Sequence, residues 1–334
     1  MTAVPTRPSR LLVVIVNYRT ADLTVDCLRS IEAEVRALRN TRVVVIDNGS
    51  ADGSAATIAR AIAAEGWESW AELVAVEHNH GYSAGNNAAI RPALAPGGDA
   101  PAYVLLLNSD TVARPAALAG LLDFMDKHPE VGIAGSRIED PDGTQQHSGF
   151  RFPSMISELE SGLRLGLFTK LVVDKIVAPD PVDFAHRVDW VAGASMIVRR
   201  EVFEQVGLLD EGFFLYFEEV DFCFKASRAG WSCWYLPQSR VVHFGGRSTG
   251  VTVRVNPRRR PRYWWESRYR FFTRHYGPAY TFVTDLLWIC AFSTYRVRRR
   301  LQRKPDTDPP HMLADFLRFR MHPTRHTVGT QAEA

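Results

Sequence analysis

Between residues 11 and 134, short runs of aliphatic and β-branched residues alternate with longer amphipathic stretches. The runs are Leu11 to Val16, Val43 to Ile46, Leu73 to Val76, Tyr103 to Leu107 and Val131 to Ala134. Unbroken apolar runs of this length predict strands buried on both faces, and the segments between them are long enough for crossover helices. A mainly parallel α/β sheet follows. Thr20 or Asp22, Ser54 after a glycine-rich turn, and Pro115 mark helix starts, the last for a helix running to His128. Residues 135–190 are less regular, with turns at Pro141-Asp142-Gly143 and Pro179-Asp180-Pro181. Beyond them, Val188 to Val198 reads as one strand and Phe203 to Val206 as a short helix. Glu218 to Ala229 has the spacing of an amphipathic helix ended by Gly230, and Trp231 to Leu236 and Arg240 to Phe244 read as two further strands.

The composition, 46% hydrophobic and 23% charged over 334 residues, is ordinary globular usage and fits one large domain with an appendage. A formal net charge of +3 hides an asymmetry: residues 256–334 hold 16 Lys and Arg against 6 Asp and Glu, while the first 255 hold 24 against 31. An acidic body with a basic, aromatic tail argues against a nucleic-acid face and for a surface contact made by the tail, first of all with an anionic membrane. Cys27, Cys223, Cys233 and Cys290 are too few and too widely spaced for a disulfide scaffold, and no C-x-x-C pair offers a zinc site. They read as reduced thiols of a cytoplasmic protein. The apolar run before Asn17 has six residues, too short for a signal-peptide core or a membrane span.

In parallel α/β sheets ligands sit beyond the carboxyl ends of the strands, so the residues that follow each run carry the candidate chemistry. Those are Asn17-Tyr18-Arg19, Asp47-Asn48-Gly49-Ser50, His78 to Ser83, and Asn108-Ser109-Asp110. Neither G-x-G-x-x-G after the first strand nor G-x-x-x-x-G-K-[ST] occurs, which argues against a dehydrogenase or a P-loop kinase. Asp47 can accept hydrogen bonds from a base or sugar edge, and a turn-forming role explains the same residue. Asp110 with its oxygen-bearing neighbours offers hard ligands for Mg²⁺ or Mn²⁺; helix capping is the plainer account. In Glu218-Glu219-Val220-Asp221 three carboxylates crowd into four residues amid Phe213, Phe214, Tyr216, Phe217 and Phe222. Apolar surroundings raise a carboxyl pKa towards the range of a general base. His243 precedes a Gly245-Gly246-Arg247 segment in which backbone and guanidinium can approach phosphate, and Trp190 followed by Gly193 offers a face on which a sugar can stack.

The segments V-V-I-V-N-Y, V-V-V-I-D-N-G-S-A-D-G-S, N-H-G-Y-S-A-G-N-N, L-L-L-N-S-D, W-V-A-G-A-S-M-I-V-R-R, G-L-L-D-E-G-F-F-L-Y-F-E-E-V-D-F-C and V-V-H-F-G-G-R-S-T-G occur in this order over residues 11–250. Together they resemble the inverting family-2 glycosyltransferases of the GT-A fold, within them the bacterial rhamnosyltransferase-like branch. The resemblance implies that Asp47 reads a pyrimidine base and that Asn17, Tyr18, Asn79, Gly81, Asn86 and Ser109 line the nucleotide pocket. It makes Asp110 the ligand of a divalent metal that neutralises the leaving diphosphate, with His243 a second ligand and Asn108, where the family has an acid, a weak one. Glu219 aligns with the family's base, Glu218 being the other candidate, and Trp190, Gly193, Asp210, Glu211 and Arg247 fall on the sugar and acceptor side.

The resemblance thus implies transfer of a deoxyhexose such as L-rhamnose from a dTDP or UDP donor to a hydroxyl of a cell-envelope, lipid-linked glycan. A sugar nucleotidyltransferase and a non-catalytic nucleotide-sugar-binding module at the membrane are the alternatives. The expected division is a catalytic domain over 1–250 and a helical extension over 251–334. In the extension Arg258 to Arg260, Trp264, Trp265, Tyr269, Phe271 and Phe272 precede an apolar run from Ala279 to Tyr295, broken by Asp285 and followed by four arginines. That pattern suits an interfacial helix pair on the inner face of the plasma membrane, with core packing or a homo-oligomer contact as the other uses of such a surface.

Overall fold

The computed structural model describes residues 10–38, 40–98, 100–245 and 258–322. In chain order the first half comprises β1 (Leu11–Asn17), α1 (Ala21–Ala37), β2 (Thr41–Asn48), α2 (Ser54–Ala64), β3 (Ala71–Val76), α3 (Tyr82–Leu94), β4 (Tyr103–Asn108), β5 (Thr111–Ala113), α4 (Ala117–Lys127) and β6 (Val131–Glu139). There follow β7 (Gly149–Phe150), α5 (Met155–Leu163), α6 (Gly166–Leu171), β8 (His186–Val188), β9 (Trp190–Val191), β10 (Ser195–Arg199), α7 (Arg200–Val206), α8 (Glu218–Arg228) and β11 (Ser232–His243). Three helices end the described chain: α9 (Arg262–Tyr276), α10 (Pro278–Leu301) and α11 (Met312–Met321).

The central sheet runs β3-β2-β1-β4-β10-β6-β11-β5, with β8 beside β11. The block β3-β2-β1-β4 is parallel, as is β6 with β11, whereas β10 lies antiparallel between β4 and β6. Every residue from Leu11 to Val16 is buried because helices cover both faces, and each such side chain contributes about 1.5–3 kcal/mol. One face packs on α1, α2 and α4 through Leu28, Ile31, Ile58 and Leu121; the other packs on α3, α7 and α8 through Ile90, Phe203 and Phe222. The fold is therefore an α/β sandwich with a mostly parallel sheet.

Three expectations change. The Leu73 to Val76 run is an edge strand with Val74 41% exposed, because among the described residues β3 pairs only with β2. The Val188 to Val198 run is not one strand: it divides into β8, β9 and β10, and β10 inserts itself between β4 and β6. Conversely Trp231 to Leu236 and Arg240 to Phe244 belong to one strand, β11, whose register against β6 shifts between Leu236 and Arg240, around Pro237. A residue without an N–H is tolerated at such an irregularity.

The basic, aromatic C-terminal segment packs inward. Phe271 and Phe272 of α9 form a core with Phe213 and Val220, and Trp265, Trp288, Phe292 and Phe316 form another among α9, α10 and α11. Trp265, Phe271 and Phe272 are thus not lipid-facing. Asp285, which interrupts the apolar run, is buried and bonded to Arg268 at 2.6 Å and Arg320 at 2.9 Å; Arg268 also holds Glu158 of α5 at 2.8 Å. α10 turns a second stripe outward, with Phe282 61%, Leu286 51%, Val297 58% and Leu301 80% exposed. No helix among the described residues is long and apolar enough to cross a membrane.

Candidate active site

The register of the sheet lines up the polar residues at its carboxyl edge. Asn17 stands opposite Asp47, and Val16 opposite Asn108. Asn17 is fully buried; its amide donates to Asp47 Oδ1 at 2.6 Å, and its Oδ1 accepts from the Thr24 hydroxyl at 2.9 Å. The Ser50 hydroxyl donates to the same Asp47 oxygen at 2.5 Å. Asn17 is thus a clamp that aims Asp47 and starts α1, while Tyr18, half-buried, lies beneath the Arg19 guanidinium at 5.1 Å.

The second strip lies between β2 and α3. The Asn48 amide donates to Asn79 Oδ1 and to the Gly81 carbonyl, both at 3.0 Å, and Gly81 N–H donates back to Asn79 Oδ1 at 2.9 Å. Gly81 has φ +92°, and a Cβ there would stand 2.3 Å from the Phe214 carbonyl oxygen. Only glycine permits that approach. Asn86 is buried in α3 and donates to the Tyr82 carbonyl at 2.9 Å.

At the end of β4, Ser109 meets Thr20 at 3.1 Å. Pairing of β5 with β11 sets His243 opposite Thr111 and brings its Nε2 to 3.2 Å from Asp110 Oδ1 and 3.4 Å from the Asn108 side-chain nitrogen. The donors that the sequence suggested for a metal therefore meet. A carboxylate and an imidazole on one side are donors that would suit a hard or borderline divalent ion. Among the described residues no cluster of three His, Cys, Asp or Glu side chains forms, consistent with the amide at Asn108.

Tyr82 bridges this group to the acids. Its hydroxyl lies 2.9 Å from Asn108 Oδ1 and 3.1 Å from the Gly193 carbonyl, and a Cβ at Gly193 would be 3.9 Å from both Tyr82 and Glu219. Glu218 and Glu219 open α8 directly after Tyr216 and Phe217, which both have positive φ, 68° and 67°. Strained backbone of this kind collects at functional sites. The Glu218 and Glu219 Oε2 atoms are buried without a hydrogen-bond partner. Burial pushes the Glu219 carboxyl up to about 7 and, with repulsion from Glu219, holds Glu218 well above its ordinary value; backbone N–H groups at the helix start oppose the shift and lose.

Other predicted residues are engaged elsewhere. Trp190 is stacked on Phe150 at 4.1 Å and donates to the Arg151 carbonyl at 2.9 Å, so one of its faces is covered. Asp210 is bonded to Arg270 at 2.8 Å and to Arg274, and Glu211 to Arg91 at 2.6 Å. Their charges fix the loop before α8 to α9 and α3. Arg247 lies outside the described residues. Sequence reasoning missed Tyr82 as a bridge and Asn48 as the clamp of the Gly81 turn; both stand in quoted motifs, Asn48 as the last residue of β2 and Tyr82 directly after a glycine.

A model of the glycosyltransferase-like family 2 matches residues 8–263. The N-acetylglucosaminyl-diphospho-decaprenol L-rhamnosyltransferase of Mycobacterium tuberculosis is 31% identical over 64% of this chain and 69% of its own. Rhamnosyltransferase WbbL of Escherichia coli K12 is 27% identical over 42% of this chain and 52% of its own. The mannosyltransferase PcManGT of Pyrobaculum calidifontis, solved with GDP-Man and Mn²⁺, shares the fold with a TM-score of 0.53 at 17% identity, over 95% of this chain and 82% of its own. Because the family match runs through all eleven strands and every strand-end residue described above, the chain belongs to the family-2-like glycosyltransferases.

Proposed function

We propose that the protein transfers L-rhamnose, or a related deoxyhexose, with inversion from a dTDP or UDP donor to a hydroxyl of a lipid-linked, diphosphate-bearing glycan of the cell envelope. The names of the two bacterial relatives support the sugar, and that of the mycobacterial one supports the acceptor. The observation that carries the mechanism is Glu219, a carboxyl held near neutrality, one side chain away from the Tyr82, Asn108, His243 and Asp110 row.

In this reading Asp47, fixed through Oδ1 by Asn17 and Ser50, presents its other oxygen to the pyrimidine ring. Tyr18 flanks the base, while Asn79, Gly81, Asn86 and Ser109 shape the nucleoside pocket. Asp110 and His243 would hold a divalent ion, Mg²⁺ or Mn²⁺, whose chemistry is to neutralise the departing diphosphate. Ionised Glu219 takes the proton of the acceptor hydroxyl as that oxygen bonds to the anomeric carbon and the bond to the diphosphate breaks. Attack opposite the leaving group inverts the centre. Glu218, more deeply buried, resists ionisation because of that burial and of repulsion from Glu219. The catalytic body would end near residue 250, with α9 to α11 supporting the acceptor side.

A lipid-linked acceptor calls for work at the inner membrane surface, and the outward stripe of α10, with exposed Arg300 at its end, is the surface assigned to it. The donor site is tested by calorimetry with TDP, UDP, GDP and CMP, each with and without Mn²⁺. Metal-dependent preference for TDP or UDP is expected. Equal or absent binding of all four would contradict the assignment.

A further inference from the structure

Arg260 lies over the Trp264 indole, its guanidinium carbon 3.9 Å from the ring centroid, and its Nε is buried without a hydrogen-bond partner. The carboxylates within electrostatic range are already taken: Glu158 by Arg268 at 2.8 Å, and Asp308 by Arg164 at 2.7 Å. Neighbouring cations fare differently, Arg259 pairing with Asp315 at 2.5 Å and Arg270 with Asp210 at 2.8 Å. Burial pushes the Arg260 guanidinium down to about 10, and the pull of Tyr216, Glu158 and Asp308 does not offset it. Leaving a buried cation unpaired costs stability, so its retention calls for an anion that comes and goes.

The position of Arg260 indicates which anion. Trp264 meets Phe217 edge-on at 6.0 Å, and Tyr263 stacks on Tyr216 at 6.2 Å. Tyr216 and Phe217 are the two residues before Glu218. One aromatic ring therefore separates the unpaired guanidinium from the turn that delivers the acids. We propose that Arg260, stacked on Trp264, binds a phosphate of the acceptor's diphosphate linker and so selects sugars carried on a phosphorylated lipid. The proposal rests on the acceptor reading above and adds a residue to it; Arg260 positions the acceptor and takes no part in proton transfer.

The test compares wild type, Arg260→Gln and Arg260→Lys on two acceptors in neutral detergent: N-acetylglucosaminyl diphosphate on a short polyprenyl chain, and a neutral alkyl N-acetylglucosaminide. Arg260→Gln should raise KM for the diphosphate acceptor by about tenfold or more, the scale of a lost charge-assisted contact, with kcat little changed. Arg260→Lys should fall between, kcat/KM for the neutral acceptor should not move, and neither the nucleotide Kd nor the melting temperature should worsen. An equal loss on both acceptors, weaker nucleotide binding, or a lower melting temperature would overturn the proposal in favour of a structural or donor-side role. Loss of binding to anionic vesicles with acceptor kinetics intact would assign the cation to a headgroup and also overturn it. If wild type cleaves the donor in water but glycosylates neither acceptor, the acceptor reading fails and the proposal with it; donor cleavage then shows that the donor site itself stands.

Discussion

Glu218 and Glu219 begin a helix, where the dipole favours ionised carboxylates, yet both hold their protons more tightly than usual because the cleft removes them from water. Two consequences follow at the scale of the residue. If ionised Glu219 is the base, transfer should fall by about tenfold per pH unit below an apparent pKa near 7, measured as kcat over pH with saturating donor. Stability moves the other way: the folded carboxyls bind protons that the unfolded chain releases, so stability falls as pH rises from about 4.5 to about 7. Glu218→Gln should therefore raise the melting temperature at pH 8 and leave it nearly unchanged at pH 4. Asn108→Asp would supply the carboxylate that the amide replaces, and Mn²⁺ in the presence of nucleotide should bind about tenfold tighter in a calorimetric titration. The strand-end residues Asn17, Asp47, Asn108, Asp110 and His243 were legible in the sequence because a parallel sheet delivers such positions to one edge. Asp210, Glu211 and Trp190 were not legible, since their partners Arg270, Arg91 and Phe150 lie far along the chain and no local pattern announces an ion pair or a stack.

Among the elements, the Gly81 turn and the Phe213 to Phe217 loop form one unit, since Tyr82 N–H donates to the Phe214 carbonyl at 2.7 Å just where a Gly81 side chain would collide. Gly81→Ala adds about 1–3 kcal/mol of backbone strain before that contact is counted, and should lower both the melting temperature and transfer, because it displaces Tyr82 and Glu219 together. Periodicity located most elements and failed where topology intervened. The strand-like run from Val188 to Val198 does not announce that it divides around Gly193 and inserts its last third antiparallel into the sheet. α10 shows the same limit from the other side: its sequence reads as an apolar run broken by Asp285, while packing divides it into an inner stripe with Trp288 and Phe292 and an outer one with Phe282 and Leu286. Charge on the outer stripe alone, as in Phe282→Asp with Leu286→Asp, should abolish co-sedimentation with anionic vesicles while transfer to a short-chain acceptor persists. Unchanged co-sedimentation together with dissociation of a dimer would make the stripe a contact between copies.

For the whole molecule, the C-terminal helices read from sequence as an appendage share the Phe213, Val220, Phe271 and Phe272 core with the loop that sets the acids. Basic and aromatic composition is the same for a lipid-facing helix and for one that buries its rings against the body, which is why the sequence left the choice open. The sheet edge holds the donor groups, α8 brings the acids, and α9 braces the turn before them, so chemistry depends on parts that are distant in sequence. The most direct measurement of the central claim is the product formed from dTDP- or UDP-L-rhamnose and an N-acetylglucosaminyl diphospho-lipid, with its anomeric configuration read by NMR, for wild type beside Glu219→Gln. The account predicts a glycoside of inverted configuration from wild type, and transfer slower by about a hundredfold or more from Glu219→Gln with nucleotide binding within a few fold of normal. A retained configuration, or normal transfer by Glu219→Gln, would contradict it.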